Sequence, residues 1–180
     1  NVFPVLTPLS VDPGHPFPFI SNLSTSLGVT LKYPERDEKL FARVKIPKVL
    51  PQWIRVNPEG NTYRFVSLVE VIRENLSDLF ASMQVISAMA FRLTHNADSE
   101  HDQEDPEDLL ETIEEELRQR RFAGVVGPEP EPNPDPWMVQ FLMDELDLSE
   151  EYLYELHGEL DYTDLNMIYD VLNLPKLKYE

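Results

Sequence analysis

Five prolines fall within the ten residues Gly127-Pro-Glu-Pro-Glu-Pro-Asn-Pro-Asp-Pro136, and no other stretch restricts the fold so strictly. Proline fixes φ and lacks a backbone N–H, so such a run cannot enter a central strand or a helix interior. It is expected to run as an extended, polyproline-like connector over 127–136. The chain around it has 180 residues, a length suited to one domain. A domain of that size buries roughly 70% of the surface it exposes when unfolded. Its composition, 42% apolar and 27% charged, is that of a globular protein. No internal repeat is visible.

Charge organises the chain further. The formal net charge is −18, and it is concentrated after residue 97. Residues 1–96 hold 10 basic and 8 acidic side chains, whereas residues 97–180 hold 5 basic and 25 acidic. The switch comes at the polar loop Asp98-Ser-Glu-His-Asp-Gln-Glu-Asp105. An acidic excess of this size argues against a nucleic-acid or anionic-membrane surface, since either requires a cationic face. There is no cysteine, which excludes disulfides, thiolate metal sites and thiol nucleophiles. The longest stretch without Asp, Glu, Lys or Arg, 13–31, is broken by three prolines and two glycines, so no membrane-spanning helix is expected. No signal peptide is recognisable. The first residue, Asn1, is what a chain excised or processed from a longer one would show. Two glycosylation sequons, at Asn22 and Asn75, read as chance matches.

Hydrophobic periodicity indicates both kinds of secondary structure. Leu27-Gly-Val-Thr-Leu-Lys-Tyr33 and Phe41-Ala-Arg-Val-Lys-Ile46 flank a polar turn and read as a hairpin. Trp53-Ile-Arg-Val56 and Tyr63-Arg-Phe-Val66 read as a second pair around Asn57-Pro-Glu-Gly60. Ser67 can cap a helix with its apolar stripe at Val69, Ile72, Leu76 and Leu79. Residues 85–94 are apolar on both faces, as a central strand requires. Asp105 and Pro106 open a helix through Leu109, Leu110, Ile113 and Leu117 to Arg118, Arg120 and Arg121, with charges arranged to suit its dipole. A short strand, 122–126, follows. Asp135 and Pro136 open a helix over 137–146, 152–156 reads as a strand, and Thr163 caps a last helix through Val171. The class is α+β: a mixed, partly parallel β-sheet with helices packed on it, hairpins in the first half and β-α-β-α-β-α alternation after residue 85.

Catalytic chemistry is hard to find. None of the six glycines falls in a phosphate-binding loop pattern, and the histidines at 15, 95, 101 and 157 share no metal-ligand spacing. The acids after Asp98 offer many carboxylate pairs but no means of choosing one. No catalytic, cofactor-binding or metal-binding residue is therefore assigned. The tyrosines at 152, 154 and 162, like Trp53 and Trp137, read as packing side chains. Two stretches carry more information: the Pro- and aromatic-rich Asp12-Pro-Gly-His-Pro-Phe-Pro-Phe-Ile-Ser-Asn-Leu-Ser24, and Phe91-Arg-Leu-Thr-His-Asn-Ala-Asp98 at a strand end.

Phe3-Pro-Val-Leu-Thr-Pro-Leu-Ser-Val-Asp-Pro-Gly-His-Pro-Phe-Pro-Phe-Ile-Ser-Asn-Leu-Ser24 resembles the pattern FPxLTPLxVDPxHPFPxISNLS of the middle, or head, domain of long bacterial polyphosphate kinases. Phe41-Ala-Arg-Val-Lys-Ile-Pro47 resembles that family's FARVKVP. The stretch from Arg92 to Asp98 resembles its R-x-T-R-N-A-D, and 109–122 its acidic helix ending in arginines. Leu174-Pro-Lys-Leu-Lys-Tyr179 resembles the stretch that closes the domain. The resemblance covers essentially all of 1–180, which it implies is a single middle domain. His95 stands where the family usually has Arg, and Gly127-Pro-Glu-Pro130 where it has a strand with a basic residue.

The resemblance implies that the parent enzyme passes the terminal phosphate of ATP to polyphosphate through a phosphohistidine in a later domain, with magnesium. This segment would be non-catalytic, and would bind no cofactor itself. It would wall the active-site channel and support dimer contacts, with the parent's other domains and a second copy as partners. Polyphosphate and ATP would be met through the parent, in the cytoplasm or at a membrane as part of that enzyme. Arg92 and His95, on opposite faces of one strand end, are the candidates for channel contacts, with Arg92 the stronger cation at neutral pH. The plainer reading of Arg92 is an ion pair with a nearby acid. Two rival readings of the chain are a freestanding acidic protein-interaction module and a carboxylate-dependent enzyme using acids after Asp98.

Overall fold

The computed structural model describes residues 2–12, 17–56, 63–96, 125–162 and 164–172. After a 3-10 turn at Phe3–Val5 come β1 (Pro8–Val11), β2 (Ser26–Lys32) and β3 (Lys39–Lys45). Then follow β4 (Trp53–Val56), β5 (Arg64–Ser67), α1 (Leu68–Arg73), α2 (Leu76–Leu79) and β6 (Gln84–His95). The second half supplies β7 (Val125–Pro130), α3 (Pro136–Leu146), a 3-10 turn at Glu150–Tyr152 and α4 (Leu165–Leu172). Five strands form one sheet in the order β1-β3-β2-β6-β7, and β4 and β5 form a separate two-stranded sheet. The α+β class, both hairpins and the Ser67 cap are as the sequence indicates. The helix expected over 105–121, the turn at 57–60 and Thr163 lie outside the described residues.

Both faces of the larger sheet are covered. On one face Leu27, Val29, Leu31, Ala42, Val44 and Ala90 pack with Leu68, Ile72 and Leu76 of α1 and α2. On the other, Val11, Phe41, Met89, Phe91 and Leu93 pack with Met138, Leu142 and Leu146 of α3. Phe41 stacks on Phe141 with ring centroids 4.7 Å apart. That close approach depends on Gly28, where a Cβ would lie 3.0 Å from the Phe41 ring and 3.1 Å from the Met138 sulfur.

Local signals set the helices. Ser67 Oγ accepts from Glu70 N at 3.3 Å, and α1 ends at Arg73. Asn75 breaks the stripe there, its side-chain amide donating to Val71 O at 2.7 Å, so the single helix expected becomes α1 and α2. Asp135 accepts from Trp137 N and Met138 N at the start of α3. The helix closes with Asp147 in the left-handed region and Leu148 N donating to Met143 O at 3.0 Å. Burial alone would raise the Asp135 carboxyl. Bonds from Ser87, Met138 and Trp137 and the charge of Lys39 outweigh it and hold it below its ordinary value.

Two expectations are corrected. Every strand pair in the larger sheet is antiparallel, β6 with β7 included, where crossovers after residue 85 implied partly parallel pairing. The proline run is also not a connector from its start, since 127–130 belong to β7. The spacing of the prolines explains the second. Backbone groups alternate along a strand, so Pro128 and Pro130 place both missing N–H groups on the side away from β6. The β6 side remains bonded, with Glu131 N donating to Ala90 O at 3.0 Å. On the outer side Pro128 O accepts from Tyr154 N at 3.1 Å and Pro130 O from Leu156 N at 3.0 Å. The numbers rise together, so 154–156 runs parallel to β7. Prolines cannot donate in return, and the strand expected at 152–156 stays an extended segment bonded one way.

Tyr152 crosses so close to β7 that a Cβ on Gly127 would lie 1.9 Å from its carbonyl oxygen. Gly127→Ala is expected to displace this segment and cost about 1–3 kcal/mol. Urea denaturation would read this as a lower midpoint, with Val126→Ala, at an exposed neighbour, as the control.

Candidate functional site

Polar side chains excluded from the covered faces collect at the end of β6 and at the loops beside it. Arg92 and Thr94 point to the α1 face. Arg92 Nε and Thr94 Oγ1 bond the two oxygens of Glu129 on β7, and Arg92 Nη1 donates to Leu160 O at 2.6 Å. His95 lies on the other face, its ring centroid 5.8 Å from that of Phe19 and its Nε2 buried without a partner among the described residues. The two sequence candidates are thus on opposite faces, and the structure does not bring them together. Arg92 makes the ion pair that the plainer reading supposes.

The 21–24 turn packs against this strand end. Leu23 N donates to Leu93 O at 2.9 Å, and Asn22 Oδ1 accepts from His95 N at 3.0 Å. Ser24 Oγ donates to Ser21 O at 2.8 Å, and Leu23 takes φ 54°, a conformation rare for a branched side chain. The turn forms one wall of an open hollow of about 500 Å³. Thr7, Ser21, Asn22 and Ser24 line it on one side, and Lys45 and Lys48, which bracket Pro47, on the other. Among the described residues two cations and no acid line it, in a chain of net charge −18. Beside Lys45, on the same face of β3, is Arg43, 4% exposed. Its guanidinium donates to Ser26 Oγ at 3.0 Å and Phe19 O at 3.3 Å, and burial draws its pKa below the ordinary value. It has no carboxylate partner among the described residues.

Lys45 and Lys48 were not candidates in the sequence. The available signal was their position in and beside Phe41-Ala-Arg-Val-Lys-Ile-Pro47, which the fold brings against Ser21-Asn-Leu-Ser24. Sequence spacing alone, with 16 residues between the two stretches, does not reveal that meeting.

A smaller cavity of about 200 Å³ lies on the α1 face, lined in part by Thr25, Trp53, Glu70, Arg73, Glu131 and Glu159. Arg73 reaches Glu131 at 2.5 Å and Glu70 at 3.5 Å. Burial raises the Glu159 carboxyl, and Glu70 and Glu131 push it further up against the pull of Arg73. No group of three or more His, Asp or Glu among the described residues is placed to hold a metal ion. No helix among them is long and apolar enough to cross a membrane.

The chain matches the family model "Polyphosphate kinase middle domain" over residues 1–168. Polyphosphate kinase of Thermosynechococcus vestitus is 44% identical over 183 residues, covering 99% of this chain and 25% of that protein. Polyphosphate kinase 1 of Chlorobaculum tepidum is 40% identical over 186 residues, covering 100% and 26%. The crystal structure of polyphosphate kinase from Porphyromonas gingivalis superimposes with a TM-score of 0.66 over 98% of this chain and 24% of that one. At 18% identity that likeness speaks to the fold alone. The chain belongs to the polyphosphate kinase middle-domain family. It spans about a quarter of the length of the relatives it matches.

Two outcomes are expected from the charged groups. Glu129→Ala leaves Arg92 and Thr94 without their partner and should cost about 1–3 kcal/mol in urea denaturation. A double-mutant cycle with Arg92→Ala would then show strong coupling. Glu159 binds its proton more tightly folded than unfolded, so its contribution to stability falls as pH rises from the ordinary glutamate range through its raised value. Glu159→Gln should therefore raise the urea midpoint at neutral pH and flatten that part of the stability profile.

Proposed function

We propose that this chain works as the non-catalytic middle domain of an enzyme that transfers the terminal phosphate of ATP to polyphosphate through a phosphohistidine. The observation that carries this reading is the match of 1–168 to the middle-domain family, with curated polyphosphate kinases 40–44% identical along the whole chain. In that enzyme the domain walls the active-site channel and contributes to contacts between two copies. The phosphoryl-accepting histidine, ATP and magnesium belong to the remainder of the protein. The enzyme works in the cytoplasm or against a membrane.

Arg92 and His95 stay the channel candidates in this reading, but they carry different roles. A polyphosphate strand following one face of the sheet meets only one of them. Arg92, bonded by Glu129 and Leu160, acts mainly by holding β7 and the 158–161 segment in place. His95 is the rim contact. The acidic-module reading is less well supported, because the family match extends through both halves of the chain.

Terminally labelled ATP tests the proposal. The 180-residue chain alone should take up no label, whereas the full kinase should become labelled on histidine and lose the label on addition of polyphosphate. Stoichiometric histidine labelling of the 180-residue chain would overturn the non-catalytic assignment. Failure of the full protein to make polyphosphate would overturn the family-based function.

A further inference from the structure

We propose that the hollow between the 21–24 turn and Lys45–Lys48 is a docking site for a condensed-phosphate chain. The anion chemistry comes from the donors facing it. Lys45 and Lys48 are exposed and make no ion pair among the described residues. Each ammonium offers three N–H donors to phosphate oxygens. Asn22 Oδ1 is occupied by His95 N, which turns the amide so that its NH2 group is left to donate. The Thr7 and Ser21 hydroxyls add two further donors, and among the described residues no carboxylate lines the hollow to repel an anion.

Arg43 is an independent second feature. It is a buried cation with only neutral partners among the described residues, lying on the same strand face as Lys45. Its field acts through protein rather than solvent, where screening is weaker. An anion beside Lys45 would supply the counter-charge that Arg43 otherwise lacks.

The shape selects among anions. The hollow is open to solvent and no aromatic side chain among the described residues lines it, so none of these stacks a nucleobase. A chain of linked phosphates can lie across it and place successive oxygens on Lys45, Lys48 and the hydroxyl wall. Inorganic phosphate would reach few of these groups at once, and ATP would leave its base in water. The choice of polyphosphate as ligand rests on the family-based function proposed above. The assignment of an oxyanion site rests on the hollow itself.

The test is equilibrium binding of end-labelled polyphosphate to the full kinase without ATP, read by fluorescence anisotropy over a range of salt. Lys45→Gln/Lys48→Gln is expected to weaken binding about tenfold or more, as loss of two charge-assisted contacts implies. The slope of log Kd against log salt should fall by about one per lysine removed. A charge-matched control, Lys32→Gln/Lys39→Gln at the other end of the same hairpin, should lose clearly less. Unlabelled polyphosphate should compete far better than ATP, phosphate or polyglutamate. The proposal is overturned if both double variants weaken binding equally, if Lys45→Gln/Lys48→Gln binds as wild type with its melting temperature unchanged, or if polyglutamate competes as well as polyphosphate. A kinase that makes polyphosphate from ATP yet gives any of these results leaves the family-based function standing. A protein that makes none, but binds polyphosphate through the two lysines, would do the reverse.

Discussion

Ser26 to Leu31 of β2 and Met89 to Phe91 of β6 are covered on both faces of the sheet, by α1 and α2 on one side and α3 on the other. Two-sided burial leaves a strand no solvated face on which to put charge, because an ion in such a layer would cost several kcal/mol. Polar side chains are consequently displaced to strand ends and loops. Lys45 ends β3, Arg92, Thr94 and His95 end β6, and the 21–24 turn closes the same end of the sheet. The site thus follows from the core. Gly28 shows how narrow the tolerance is, since Phe41 and Met138 already occupy the space a Cβ would need.

The two arginines embedded in this frame are satisfied in different ways. Arg92 has a carboxylate, a carbonyl and a neighbouring hydroxyl on the same carboxylate, so charge and hydrogen-bonding capacity are both answered within the fold. Glu129 can reach it because β7 pairs antiparallel with β6 at the register Arg92↔Glu129. Arg43 has only a hydroxyl and a carbonyl, which answer donors but not charge. Arginine cannot shed its proton to escape that position, so its positive field persists. One arginine therefore ties elements together through a carboxylate, and the other is held by neutral groups.

Much of the fold was legible because it rests on local signals. Ser67, Asp135 with Pro136, and the two-sided apolar run before Thr94 each mark their element without tertiary help. That β7 joins the sheet at all was not legible, since it depends on which side of the strand the missing N–H groups of Pro128 and Pro130 fall. Their spacing of two, read as a barrier to a central strand, is what allows an edge strand that donates only towards β6. Of the site, the Arg92 and His95 faces followed from strand alternation, but the Glu129 partner required the β6–β7 register. Lys45 and Lys48 were hidden for a similar reason: they matter only beside a turn distant in sequence.

Segregation of charge lets a strongly acidic protein keep a cationic hollow. At physiological ionic strength exposed charges are largely screened beyond about 8 Å, so a distant acidic surface does not cancel two lysines locally. The carboxylates nearest the α1-face cavity are turned to Arg73 on the opposite side of the sheet, with the apolar layer between. The acidic excess elsewhere in the chain would also discourage an anion from settling away from the hollow, so a polyanion would favour the hollow over a diffuse surface. Excess acid and a local basic site are then complementary, the first giving selectivity of position and the second affinity.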